Sequence, residues 1–172
     1  GYLITRLLLV DLAEGRFSIL GFYERRARRI LPALFVVTLC CVPFAWMWML
    51  PSQMAKFGDS MAAVAGFASN ILFWRQDGYF DEAAEFKPLL HTWSLAVEEQ
   101  FYILFPLMLF LIYKVGKRGV AGAIAIAAMI SFLLCEWGSH VAPVATFYLA
   151  PTRAWELLAG SLCAFAPAGS MK

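Results

Sequence analysis

The 172-residue chain carries little charge: only 15% of its residues are Asp, Glu, Lys or Arg, whereas 62% are hydrophobic. A soluble domain carries about 25% charged residues, so this composition argues against an ordinary globular protein and predicts a membrane protein. The formal net charge is only +2, and the chain lacks any lysine-rich tract. A nucleic-acid partner is therefore not expected.

Several patterns that mark metal-binding or hydrolytic proteins are also missing. The four cysteines form no CxxC pair and lie inside apolar runs, which is typical of small hydrophobic side chains. The two histidines have neither HxxH nor HExxH spacing, so no metal site is predicted. No glycine-rich phosphate loop and no GxSxG nucleophile elbow occurs.

Long apolar stretches are what the chain does contain. A helix needs about 20 apolar residues to cross about 30 Å of hydrocarbon. This length predicts spans over residues 30–50, 95–113 and 120–137, with a fourth that begins near Arg153. Residues 1–10 resemble the exit half of an earlier span. We therefore expect an all-α, polytopic transmembrane helix bundle, present as an internal fragment that lacks an N-terminal span and C-terminal spans.

Basic residues predict the orientation of these spans. Two basic clusters, one before the first full span and one after the second, should both face the cytoplasm: Arg25, Arg26, Arg28 and Arg29, and Lys114, Lys117 and Arg118. This parity requires that the apolar segment 61–73 does not cross, and its length is typical of a re-entrant or interfacial helix. The acidic loop 76–86 is then expected outside, and the tryptophans near the outer boundary.

Residues 91–102, HTWSLAVEEQFY, place ionisable groups where the second full span enters the membrane. Such groups are costly in lipid and are functional candidates. In a helix from about His91, one stripe holds His91, Glu98 and Tyr102, and Ser94 shares nearly the same face. A carboxylate partly removed from water can hold or relay a proton near neutral pH, so we interpret Glu98 as functional.

Glu99 lies about 100° around the helix from Glu98, so the two glutamates should not share a role. The alternative to function is that a glutamate lies at headgroup level, solvated or paired with Arg75 or Lys87. For Glu99 we prefer this alternative.

Two further charged sites are open to two interpretations each. Arg26 and Arg29 are three residues apart and can present two guanidiniums to phosphate oxygens, although the spacing alone favours a cluster that fixes orientation or contacts anionic lipid. Arg153 and Glu156 can pair within one helix. That pair is either purely structural or places a cation beside Glu98.

Four stretches together resemble the acyltransferase-3 family of integral-membrane O-acyltransferases. They are GYLIT at residues 1–5, FYERRARRILPAL at 22–34, PLLHTWSLAVEEQFYILFP at 88–106 and RAWELLAG at 153–160. In addition, NILFWRQDGYFD at residues 70–81 is similar to the subgroup in which a soluble SGNH domain, fused or separate, accompanies the membrane part. Residues 1–172 would then be a partial membrane domain of that family.

The resemblance implies transfer of an acyl group, usually acetyl, from cytoplasmic acyl-CoA to a glycan or lipid-linked glycan, such as lipopolysaccharide O-antigen or exopolysaccharide, at a bacterial inner membrane. The RxxR element of the family, thought to bind donor phosphates, falls on Arg26 and Arg29, with Arg25 beside them. The SLxxE glutamate falls on Glu98. The main catalytic histidine is expected before residue 1, so this fragment alone should be inactive.

The resemblance leaves supporting roles to other residues of the matched blocks. We assign supporting catalytic roles to His91 and Tyr102, and an acceptor path to Trp93, Ser94, Arg153 and Glu156. Two other classes stay open, a proton-coupled transporter or flippase half-bundle and a non-catalytic scaffold. The arginine pair and the absence of inverted-repeat symmetry favour the enzyme.

Overall fold

A computed structural model describes residues 1–77 and 87–166, and within these residues all regular structure is helical. This confirms the predicted all-α class. The α-helices are α1 (Tyr2–Ala13), α2 (Ile19–Trp48), α3 (Pro51–Ala65), α4 (Ser69–Gln76), α5 (Thr92–Ile112), α6 (Lys117–Val141), α7 (Pro143–Tyr148) and α8 (Ala150–Leu162). Short 3-10 turns, Tyr113–Val115 and Cys163–Phe165, follow α5 and α8.

Three described helical segments are long and apolar enough to cross a membrane: Ile19–Trp48, Thr92–Val115 and Lys117–Val141. They match the first three predicted spans, although the first helix ends at Trp48, before the predicted end at residue 50. The fourth prediction falls on α8, which has 13 residues and is shorter than a span needs. Helix α2 begins well before residue 30, because its arginine-rich first part consists mainly of good helix formers.

The segment 61–73 does not cross the membrane as one helix. It is divided between the end of α3, which has 15 residues, and the start of α4, which has 8. The turn between them contains Phe67 at φ 51°, a left-handed conformation that is unusual for a bulky residue. The prediction of a short non-spanning helical segment is confirmed. The outer-loop prediction for residues 76–86 falls, apart from Gln76 and Asp77, outside the described residues.

The chain forms two compact units, and α5 contributes its first part to one and its remainder to the other. The first unit comprises residues 20–100. Its apolar core packs α2 against α3 and the segment before α5, through Leu34, Ala45, Phe57, Val64 and Leu89. On α3 the buried residues Phe57, Ser60 and Val64 recur at helical spacing, so one face of this short helix is packed.

The second unit comprises residues 1–19 and the chain from residue 101 onward. Its α6 and α8 are joined by the buried hydroxyl of Ser131, whose Oγ donates to the Pro151 carbonyl at 2.6 Å and accepts from the Trp155 amide at 2.9 Å. The start of α1 meets α8 at Gly1 and Gly160, where a side chain on Gly1 would collide with the α8 backbone. Small residues therefore permit this close helix contact.

Candidate active site

A buried ion pair links α2 to α5 inside the first unit. The Nη2 of Arg26 lies 3.3 Å from Oε1 of Glu99, and the two side chains are 19% and 9% exposed. Each residue lies seven positions beyond the start of its helix, about 10 Å along the axis. Both helices are long and apolar enough to cross a membrane, and Arg26 lies in the arginine-rich first part of α2. Because both side chains are largely buried, the pair is part of the packing between α2 and α5.

The rotation of α5 explains why Glu99 is the buried glutamate. Thr92, Ala96 and Glu99 recur at intervals of four and three, and all three are buried. The small side chains of Thr92 and Ala96 let other elements of the unit approach this face. The opposite side holds His91, Ser94 and Glu98, which are all exposed. The predicted common face of His91, Ser94 and Glu98 thus exists, and it is the exposed face.

The interpretation of Glu99 as a solvated group, or as a partner of Arg75 or Lys87, is wrong. Its carboxylate is buried and accepts a hydrogen bond from Arg26 at 3.3 Å. The burial expected of Glu98 is also not found, because the exposed Glu98 points away from the packed face. A catalytic role for Glu98 stays a prediction, but burial does not support it.

The depth assigned to the carboxylates needs a second correction. The basic clusters placed Arg26 at the inner end of the first span and the glutamates near the outer end of the second. Direct contact requires that Arg26 and Glu99 differ in depth by no more than the combined reach of their side chains. The guanidinium and this carboxylate are therefore neighbours, and they do not face each other across the thickness of the bilayer.

A network of amide groups lies next to the ion pair along α5. Gln100 Nε2 donates to Asn70 Oδ1 and to the Phe67 carbonyl, each at 2.9 Å, and Asn70 Nδ2 donates to Gln100 Oε1 at 3.4 Å. Asn70 has no exposed surface. About two turns earlier on α5, the buried hydroxyl of Ser69 donates to the Thr92 carbonyl at 3.0 Å. These bonds fasten the turn at Phe67 and the start of α4 to α5.

Glu99, Asn70 and Gln100 are site residues that were not predicted from the sequence. A signal was present for Glu99, because it follows Thr92 and Ala96 at helical spacing, and small residues mark faces of close packing in membrane helices. No comparable signal pointed to Asn70, which lies 30 residues from its partner Gln100. That contact exists only because α4 packs on α5.

The other predicted donor-binding residues have different surroundings from Arg26. Arg25 and Arg29 are exposed. The neighbouring Arg28 forms an exposed pair with Glu24 at 2.7 Å along one side of α2. Arg26 is drawn against α5, whereas Arg29, which the RxxR spacing placed on the same face, keeps an exposed side chain. Binding of a donor by this cluster stays a prediction.

The remaining candidates lie on α5 and α8. Trp93 is half-buried, and the exposed Ser94 donates to the His91 carbonyl at 3.2 Å. Tyr102 is half-buried and packs edge-on against Phe101. These observations give positions, and the assigned supporting and acceptor-path roles stay predictions.

The predicted pair within α8 is present. Arg153 Nη2 contacts both carboxylate oxygens of Glu156, at 3.1 and 3.4 Å, and its guanidinium lies 5.6 Å from the centre of the Phe147 ring. Arg153 and Glu156 thus pair within α8, as the structural interpretation requires, and a position beside Glu98 stays a prediction. Among the described residues, no group of three His, Cys, Asp or Glu side chains is arranged to hold a metal ion.

These features define the class of protein: it is helical, with several membrane-length helices and a largely buried arginine–glutamate pair. Residues 1–168 match the family model described as an acyltransferase domain. The chain therefore belongs to this acyltransferase family, which confirms the resemblance, and the family together with the apolar helices makes it a multi-pass membrane protein.

Three relatives illustrate the range of similarity. An uncharacterised Haemophilus influenzae protein is 35% identical over 174 residues, which cover 95% of this chain and 70% of that protein. A Staphylococcus aureus (strain COL) protein, provisionally named O-acetyltransferase SACOL0978, is 32% identical, and O-acetyltransferase OatA of strain NCTC 8325 is 34% identical. The matches cover 96% and 76% of this chain but only 28% and 22% of those proteins. No solved structure gives a significant match.

Proposed function

We propose that the intact protein is a membrane O-acyltransferase that moves an acyl group, in the first instance acetyl, from cytoplasmic acyl-CoA to a hydroxyl of a cell-surface glycan. Family membership and the O-acetyltransferase names of the Staphylococcus aureus relatives support the reaction type. A cytoplasmic donor requires a membrane that borders the cytoplasm. We therefore assign the protein to a bacterial inner membrane.

The observation that carries this proposal is the ion pair of the largely buried Arg26, on the helix that bears the RxxR element, with a carboxylate of the helix that bears SLxxE. Acyl-CoA is a polyanion, and an arginine guanidinium binds phosphate oxygens with directional hydrogen bonds. We assign Arg26 to the donor phosphates, with the exposed Arg25 and Arg29 as additional contacts. The two matched elements then serve one site because the ion pair joins them.

The chemistry requires one proton transfer and one bond exchange. The acceptor hydroxyl oxygen attacks the thioester carbonyl carbon, a new ester bond forms, and the carbon–sulfur bond breaks. The hydroxyl proton passes to a general base, and the coenzyme A thiolate leaves and takes up a proton. We place the main base outside residues 1–172. We assign Glu98, on the exposed face of α5, to the path of the acceptor, and His91 and Tyr102 to supporting catalytic roles.

The test compares cell-envelope glycans from cells with and without the intact gene. Loss of an acyl mass in the deletion strain, restored by the wild-type gene but not by Arg26→Ala at equal membrane abundance, is the expected result. The matched control is Arg28→Ala, which removes an exposed arginine of the same cluster and should restore the acyl mass. Identical glycans in the deletion and parent strains would refute the function.

A further inference from the structure

Glu99 is a charged group of this site that belongs to neither the RxxR nor the SLxxE element. Its carboxylate is 9% exposed and lies 3.3 Å from Arg26 Nη2. That separation is longer than the roughly 2.7–2.9 Å of strong charge-assisted hydrogen bonds. The carboxylate therefore directs the guanidinium without holding it in the tightest geometry.

A second arginine–glutamate pair on α2 provides a comparison. Arg28 Nη2 and Glu24 Oε1 are 2.7 Å apart, but these side chains are 79% and 61% exposed. Exposed pairs of this kind contribute little, because water screens the charges and both side chains lose rotamer freedom. The pair of Arg26 and Glu99 connects two helices and is largely removed from solvent, so its carboxylate determines where a guanidinium lies.

We propose that Glu99 is a positioning residue that holds the guanidinium of Arg26 where a phosphate of the acyl-CoA donor is received. This inference rests on the proposed function. An arginine side chain has several rotatable bonds and loses this freedom when it grips a ligand. Because the Glu99 carboxylate already restricts the guanidinium, part of this entropy is lost before the donor arrives. Donor binding is therefore stronger.

The same geometry argues against Glu99 as the base of the reaction. Its Oε1 already accepts a hydrogen bond from Arg26 Nη2, so this oxygen is engaged with the guanidinium. Its burial on the face of α5 with Thr92 and Ala96 also separates it from the exposed face that carries Glu98. Glu99 therefore acts through Arg26, and the two adjacent glutamates have different tasks.

The test measures acetyl-CoA binding to the intact protein in lipid nanodiscs by titration calorimetry, so that no acceptor has to be known. Glu99→Gln should raise the Kd for acetyl-CoA by about 3- to 30-fold, the range set by the rotamer freedom of one arginine. Glu99→Asp keeps the charge with a shorter side chain and should raise Kd by roughly two- to fivefold. The matched control Glu24→Gln removes the exposed carboxylate beside Arg28 and should leave Kd within about twofold.

A purely structural ion pair would behave differently. Glu99→Gln would then lower the thermal unfolding temperature but leave Kd unchanged in the folded fraction, which would overturn the proposal. A lower Kd would overturn it as well, since it would show that Glu99 competes with the donor. If Glu99→Gln does not fold, an unchanged Kd in Glu99→Asp is the overturning result.

An Arg26→Gln background separates this inference from the proposed function. There, Glu99→Gln should have no further effect on Kd, because the guanidinium that it positions is gone. Equal effects of Glu99→Gln in both backgrounds would show that Glu99 acts independently of Arg26 and would refute the positioning role. If Arg26→Gln alone leaves Kd unchanged, the donor role of Arg26 fails, and with it the basis of the inference.

Discussion

The amide pair of Asn70 and Gln100 should be energetically coupled. Asn70→Ala removes both hydrogen bonds between the two amides, at 2.9 and 3.4 Å. Gln100→Ala removes the same two bonds and also the 2.9 Å bond to the Phe67 carbonyl. Because the two shared bonds are lost in either single variant, the double variant should lose less stability than the sum of the single effects.

The size of the effect follows from these bonds and from burial. Hydrogen bonds between membrane helices contribute about 0.6 kcal/mol on average and up to about 1.7 kcal/mol. Asn70 is fully buried, so its removal also leaves a small cavity and a poorly satisfied Gln100 amide. We expect each single variant to lower the unfolding free energy by roughly 2–3 kcal/mol, with a coupling energy of about 1–2 kcal/mol.

The assay is SDS-induced unfolding of the intact protein in mixed micelles, followed by tryptophan fluorescence. Gln53→Ala is the matched control, because Gln53 Oε1 accepts from the Leu50 amide at 3.0 Å in an exposed position. This control should cost about 0.5–1 kcal/mol and show no coupling to Asn70. Additivity of Asn70→Ala and Gln100→Ala within about 0.5 kcal/mol would refute the reasoning that this network fastens α4 to α5.

Other changes test the second unit, the exposed face of α5 and the orientation. Ser131→Ala should lower the unfolding free energy by about 1–2 kcal/mol in the same assay. The control Ser139→Ala, which removes an exposed hydroxyl, should change it by less than about 0.5 kcal/mol. Equal effects would contradict the hydrogen-bonded bridge between α6 and α8. Glu98→Gln should lower glycan acylation about 100-fold or more at unchanged membrane abundance if Glu98 relays the proton, and wild-type acylation would favour the scaffold interpretation of this residue. In a cysteine-free background, Asp77→Cys should react with an impermeant maleimide from outside and Lys117→Cys only after permeabilisation; the opposite pattern would refute the predicted orientation.

Much of the helical layout could be predicted because it depends on local composition. Apolar length indicated the three membrane-length helices, and the short apolar segment 61–73 was correctly predicted not to form a spanning helix. The pair of Arg153 and Glu156 was also predictable, since residues three apart on a helix are neighbours whatever surrounds them. The helix expected from near Arg153 proved shorter than a span in the described residues, because apolar length alone does not fix where a helix ends.

The site was less predictable, because its contacts join distant parts of the chain. The angle of about 100° between Glu98 and Glu99 was known from helix geometry, but the face that packs was not. The structure buries the face of Glu99 and exposes that of Glu98. Within residues 20–100, the absolute rotation of α5 depends on which neighbours pack against it.

The sequence by itself determined that this is a membrane protein, and it determined the helical class, the family and the helix periodicity. Each of these depends on residue types and short spacings. Only the tertiary structure decided which glutamate meets Arg26, and that Asn70 and Gln100 pair across 30 residues. The physical reason is that a helical repeat fixes the angles between side chains of one helix but not its rotation against another. That rotation is set by the packing of all the contacting elements together.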